Sequence, residues 1–153
     1  MKKYFDGMAI LMASAWVGGI WVVGYVVAPV LFNTLQDRAL AGMLAGKLFA
    51  VMGYISMVCA AYLLFYAFKL REKLLVSRSI FLITFVMLLF TLVGQFGLQP
   101  LLAEIKTQAL PLYVMDSAYA DRFKLWHGVS SIVYLLQSLL GSFLLLNVYR
   151  NRR

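Results

Sequence analysis

The sequence predicts an all-α integral membrane protein, a single four-helix bundle over 1–153 with both termini in the cytoplasm, on three observations. The chain is 63% hydrophobic and only 13% charged, with a mean hydropathy of +0.86, too little charge to cover a water-soluble domain. Its uncharged stretches fall into four windows, 7–36, 48–68, 79–103 and 125–149, which are 30, 21, 25 and 25 residues long. About 20 apolar residues cross about 30 Å of hydrocarbon, so each window holds one span, at about 8–35, 46–68, 79–103 and 123–148. The third observation is the distribution of charge. Four crossings put the N-terminus, the 69–78 loop and the C-terminus on one side. There Lys2, Lys3, Lys69, Arg71, Lys73, Arg78, Arg150, Arg152 and Arg153 face Asp6 and Glu72, a net +7. The other side carries Arg38, Lys47, Lys106, Arg122 and Lys124 against Asp37, Glu104, Asp116 and Asp121, a net +1. The positive-inside rule makes the basic side cytoplasmic, and a bacterial inner (plasma) membrane is the expected location. The lipid bilayer is then the first partner. The basic ends read as topology signals and anionic-lipid contacts, and no aromatic-interleaved basic patch argues for nucleic acid.

The first span opens after Lys2 and Lys3, and "ASA" at 13–15 resembles a signal-peptide cleavage site. The apolar run before it is too short and continues far past it, so the span is expected to remain uncleaved. On a straight wheel at about 100° per residue, Ser14, Val17, Gly18, Trp21, Tyr25, Ala28 and Phe32 share a face, with Gly24 at its margin. Small residues let helix backbones approach closely where lipid supplies no hydrophobic drive. Ser14/Gly18, Gly24/Ala28 and the Gly42/Gly46 pair of the second span are therefore expected contact points, including for a homo-oligomer. Pro29 removes a backbone hydrogen bond and clashes with the Tyr25 carbonyl, which predicts a kink aiming Asn33, Gln36 and Asp37 away from the helix axis.

In the second span Lys47, Ala50, Tyr54, Met57 and Ala61 follow helical spacing. The lone cysteine, Cys59, excludes an intrachain disulfide and reads as a packing residue. "KLREKLLVSRS" is short enough to make the second and third spans antiparallel neighbours. Thr84, Thr91, Gln95 and Gln99 recur at i, i+7, i+11 and i+15 in the third span, where Gln99–Pro100 predicts a second kink. The mixed 104–124 stretch is expected to lie along the outer interface as a partly helical cover, with Tyr113 and Tyr119 at headgroup depth. In the fourth span His127, Ser130, Ser131, Tyr134, Gln137, Ser138 and Gly141 share one stripe.

A polar group turned to lipid costs several kcal/mol, so these stripes are expected to face one another. The strongest polar residues, Asn33, Asp37, Lys47, Gln95, Gln99 and His127, all fall near the outer side, which predicts a pocket open outward and narrowing inward. The candidate ligand-binding set is Asn33, Asp37, Lys47, Tyr54, Gln95, Gln99, His127, Ser131 and Tyr134. Asp37 and Lys47 would set the pocket's charge, Gln95 and Gln99 would hydrogen-bond a ligand, and His127 would respond to pH or bind a metal. Each also has a structural alternative: headgroup contact for the charges, an interfacial role for His127, interhelical bonding for the Ser/Gln stripe. Eight methionines suit Cu(I) in type, but they are scattered without a tight pair and read as core. The sequence contains no CxxC, HExxH or phosphate loop. With one histidine, a haem held by two imidazoles is not supported, and haem or copper lacks a ligand set.

"AWVGGIWVVGYVVAPVLF", "DRALAGMLAGKLF", the "QP" at 99–100 and "WHGVSS" resemble, in that order, a bacterial domain family of unknown function related to human transmembrane protein 205. The resemblance runs from Trp16 to Gly141 and implies a four-helix membrane domain without established activity, whose human relative is associated with cisplatin resistance. More distantly, the first span is similar to the copper-resistance D family and to the four-helix haem-dependent protoporphyrinogen oxidase. Those relatives carry a histidine about seven residues before the first-span tryptophan; Ala9 stands there in this chain, so the resemblance brings no haem or copper ligand to it. Three functions follow as expectations: binding or transport of a small ligand or metal species through the outward pocket, a haem-associated membrane oxidoreductase, and a helper subunit of a membrane complex. The absence of catalytic motifs weighs against an enzyme.

Overall fold

A computed structural model describes residues 2–69 and 74–151, with side chains described for 4–69 and 78–150. Lys2, Lys3, Arg71, Glu72, Lys73, Arg152 and Arg153, which contribute to the charge bias, have side chains outside that set. Four helices are long and apolar enough to cross a membrane: Tyr4–Thr34, Arg38–Lys69, Arg78–Gln108 and Ala120–Arg150. The described residues contain no strand, and the chain is an all-α, multi-pass membrane protein. At 1.5 Å per residue, 31 residues reach roughly 45 Å, so each span extends beyond the hydrocarbon at its ends or tilts within it. The first span packs on the second and fourth, and the third packs on the same two. The helices thus close a ring in chain order.

The half of the bundle nearer the termini, called inner here, is sealed. Ala9, Ala13, Trp16 and Ile20 of the first span meet Cys59, Ala60 and Leu63 of the second. Ile80 and Met87 of the third and Leu144 and Val148 of the fourth complete this core. Gly141 is placed so that an added methyl would stand 3.0 Å from Val17, which lets the first and fourth spans come together. Cys59 is the packing residue its position suggested, with its thiol 3.9 Å from the Met12 sulfur. At the inner end Tyr66 donates to Asp6 at 2.8 Å and Tyr62 to the Phe5 carbonyl at 3.3 Å, tying the first span to the second.

The two expected kinks take a specific form. The first span passes from α-helix to a π-helical turn at Val23–Val27 and back to α at Ala28–Thr34. The third does the same at Gly94–Leu98 before Gln99–Gln108. In each, the residue before the proline bonds five back: Ala28 N–H to the Val23 carbonyl, Gln99 N–H to the Gly94 carbonyl. Pro29 and Pro100 have no N–H to give and would clash with the carbonyl four back. The wider turn moves that carbonyl out of the way.

A π turn holds one residue more than an α turn, so it advances the side-chain register beyond it by one position. This corrects the predicted packing face of the first span. Tyr25 within the turn and Ala28 and Phe32 beyond it do line the interior cavity. Before the turn, Ser14 and Gly18 are exposed and Trp21 is half exposed, though its indole donates to the Ser138 carbonyl at 3.4 Å; of the predicted face only Val17 joins the buried face of Ala9, Ala13, Trp16 and Ile20. A straight wheel joins two segments whose phases differ. In the second span the predicted stripe is also displaced: Tyr54 is 58% exposed and Ala61 is exposed, while Met52, Ser56, Cys59 and Leu63 are buried.

Between the third and fourth spans the outer loop is held by its own small core. Ile105, Ala109 and Val114 are buried, with Tyr113, Tyr119, Phe123 and Trp126 packed against them. Tyr113 and Tyr119, expected at headgroup depth, pack against this cluster.

Candidate functional site

Beyond the π turns the ring of helices loosens. Ala28–Thr34 packs on the second span, and Gln99–Gln108 packs on the fourth. Between these two pairs lies a cavity of about 1080 Å³, to which all four spans contribute. Its position at the end away from the termini is the one the polar stripes predicted.

The floor is built from hydrogen bonds between spans. The Tyr134 hydroxyl donates to the Ile20 carbonyl at 2.5 Å, and its ring lies so close to Gly24 that a Cβ there would overlap it. Gly24 is thus required by a close approach. The phenol meets the first span at the entry to the π turn, and insertion of a side chain into the backbone ladder is a recognised cause of such a disturbance. Tyr25 and Phe49 stand edge-on to the Tyr134 ring, at centroid distances of 6.2 and 5.2 Å. Tyr25 and Ser138 share a hydroxyl–hydroxyl bond of 2.7 Å. The Gln137 amide donates to Thr91 at 2.8 Å, and Thr91 donates to the Met87 carbonyl at 2.9 Å. Both residues are buried, and the Thr91 hydroxyl and the Gln137 amide nitrogen each have a partner, as burial favours.

Above the floor the polar groups are less committed. Gln95 lies over Gly53, so closely that a Cβ on that glycine would meet its amide oxygen. Among the described residues, neither the Gln95 nor the Gln99 amide takes part in a hydrogen bond, and both face the cavity. His127 stacks on Phe123 with centroids 5.5 Å apart. Lys106 reaches across the opening from the third span to the second, its ammonium donating to the Gly42 carbonyl at 3.4 Å and standing 5.7 Å from the Phe123 ring centre.

Of the nine candidate residues, the structure brings Lys47, Gln95, Gln99, His127, Ser131 and Tyr134 to the cavity wall. Asn33, Asp37 and Tyr54 are not there. Asp37 caps the second span, its carboxylate accepting from the Ala39 and Leu40 amides at 2.8 and 3.1 Å. That is the ordinary use of an aspartate immediately before a helix. Asn33 and Tyr54 are exposed on the outside of the bundle. Gly42 and Gly46, expected as helix contacts, both line the cavity; Gly42 meets Phe32 of the first span and Lys106 of the third, each 3.7 Å from a Cβ built on it, while no atom lies within 4 Å of a Cβ built on Gly46.

Sequence reasoning missed Lys106, counting it only as outer-side charge. Continuing the third-span stripe from Gln95 and Gln99 by two more turns arrives at it. Thr91 and Gln137 were assigned to stripes, but their pairing across the floor was not foreseen. Among the described residues no three His, Cys, Asp or Glu side chains gather into a metal-binding group, and Ala9 is fully buried in the inner core.

Fold and cavity together define a small multi-pass membrane protein, closed at one end and hollowed at the other. The chain belongs to the family described as a domain of unknown function, DUF4149, whose profile matches residues 11–111. The matched region holds most of the first span and all of the second and third, while His127, Ser131 and Tyr134 lie beyond it. No curated protein and no solved structure matches the chain.

Proposed function

We propose that this protein binds, and moves into or across the membrane, a small ligand that enters the outer-half cavity. One observation carries the reading: a cavity of about 1080 Å³ with uncommitted amides, Gln95 and Gln99, on its wall. Pockets for drug-sized molecules span about 300–1,000 Å³, so this one has room for such a ligand. Inside a bilayer an amide without a partner is costly, and a polar ligand or water would supply what the chain does not. With cytoplasmic termini in a bacterial inner membrane, the cavity opens to the periplasm, and the exposed Ser14/Gly18 face is the surface for self-association. The relation to human transmembrane protein 205 belongs to the same proposal and lends it no residue.

The test is cellular tolerance of toxic compounds, read against protein level. Gln99→Ala and His127→Ala should change tolerance while membrane abundance stays at the wild-type level. Tolerance that falls only in proportion to lost protein would sink the reading. The haem-oxidoreductase alternative is weaker, since His127 is the sole imidazole; a Soret band in purified protein would revive it.

A further inference from the structure

The ionic side chains on the cavity wall are all basic. Arg38, Lys47 and Lys106 line it beside the His127 imidazole, and no aspartate or glutamate does. The outer side has four carboxylates in its sequence, and each is elsewhere. Asp37 caps the second span, Glu104 accepts from Gln108 at 3.0 Å, Asp121 pairs with Lys124 at 3.4 Å, and Asp116 is exposed in the loop. Among the described residues, Arg38, Lys47 and Lys106 have no ion pair.

Lys106 makes the imbalance concrete. An ammonium has three donors, yet its contacts are one carbonyl at 3.4 Å and one ring face at 5.7 Å. A cation in a membrane protein ordinarily faces a partner or a watery cavity. Here it is held across the opening with most of its hydrogen-bonding capacity unused. Between these cations and the hydrogen-bonded floor the wall is largely apolar, with Ile20, Phe49, Phe90, Leu98 and Leu135 beside the Gln95 and Gln99 amides. A cationic mouth above an apolar chamber is complementary to a molecule with an anionic head and a hydrocarbon tail.

We infer that the cavity takes an anionic amphiphile, its phosphate or carboxylate head held by Lys106 with Lys47, Arg38 and His127, and its tail in the chamber beneath. This rests on reading the cavity as a binding site, and names the class of ligand it takes. No bond is made or broken in the step, and the exchange is of hydrated ions for a direct contact. A lipid and a single-chain amphiphile share this chemistry, as does free phosphate at the head alone.

The full-length protein in phosphatidylcholine nanodiscs, titrated with hexadecyl phosphate, hexadecylphosphocholine, phosphatidic acid and inorganic phosphate, separates these cases. Hexadecyl phosphate should bind at least tenfold more tightly than hexadecylphosphocholine, and inorganic phosphate should bind at least a hundredfold more weakly than either phosphate amphiphile. Phosphatidic acid matching or exceeding hexadecyl phosphate assigns a membrane lipid; weaker binding assigns a single-chain molecule, and both outcomes support the inference. Lys106→Gln should abolish the preference for the anionic head and Lys106→Arg should keep it. Lys124→Gln, which removes the same charge outside the cavity, should change nothing. Equal binding of the anionic and zwitterionic probes overturns the head-group assignment but leaves the cavity a binding site. Inorganic phosphate binding as tightly as hexadecyl phosphate overturns the amphiphile. If no probe binds a protein whose melting transition is intact, the inference and the proposed function both fall.

Discussion

The inner and outer halves of this bundle are made of the same four helices, yet one is filled and the other is hollow. In the inner half Trp16, Leu63, Ile80, Met87 and Leu144 are essentially without exposed surface, and each helix touches both of its neighbours. In the outer half the first and third spans each keep one close neighbour, and about 1080 Å³ opens between the pairs. The strongest polar residues gather in the outer half. The halves also meet at a pair of π turns, Val23–Val27 and Gly94–Leu98, which lie at similar depth and shift the register of everything beyond them. Single π turns within α-helices occur frequently at functional sites, and here both border the cavity. The lesson is that a membrane bundle can be opened at one end by two local backbone events while the other end stays close-packed.

The contrast can be broken most severely from the filled side. Trp16→Ala should destabilise the protein by about 3–5 kcal/mol, measured by unfolding in mixed micelles, whereas Gln99→Ala, on the cavity wall, should stay within about 0.5 kcal/mol of wild type. Equal costs would mean the outer half is packed as tightly as the inner. Next in size, Gly24→Ala should cost about 1–3 kcal/mol, because the new methyl overlaps the Tyr134 ring. The same change made in a Tyr134→Ala background should cost much less, and full additivity would refute a direct clash. Gln137→Leu should cost about 1 kcal/mol, the usual net value of one hydrogen bond, because Thr91 keeps its own bond to Met87. Smallest of all is Thr84→Val. The Thr84 hydroxyl is buried without a partner, so removing it should leave stability unchanged or slightly raised; a loss above about 1 kcal/mol would reveal a partner for that oxygen.

Legibility in the sequence followed the nature of the signal. The four spans, their order and the outer position of the cavity were readable because each rests on many residues at once: long uncharged windows and stripes repeated over several turns. The fourth-span stripe was read correctly, since that helix runs unbroken from Ala120 to Asn151, and an unbroken helix obeys a single wheel. The first-span face was misread before Val23 because the wheel was drawn straight through a π turn. Both prolines announced a disturbance, but not its form, and a simple bend keeps the phase that a π turn changes. Asp37 was misassigned for a different reason. A carboxylate just before a helix suits a cap and a pocket alike, and only its hydrogen bonds to Ala39 and Leu40 distinguish the two. Lys106 was within reach, one step along a stripe already recognised, and was passed over because its charge placed it in the loop.

By itself, the sequence determined that this chain crosses a membrane four times and that its polarity gathers near one surface. Those properties follow from transfer free energies summed over some twenty residues per span, a total that no local packing detail reverses. Only the tertiary structure decided which polar groups satisfy one another and which are left facing the cavity. Gln137 finds Thr91 and Tyr134 finds the Ile20 carbonyl, while the Gln95 and Gln99 amides stay on the cavity wall and Lys106 is held across its opening by the Gly42 carbonyl. That choice depends on ångström-scale matches between helices whose phases are reset in mid-span, and no single helix carries the information.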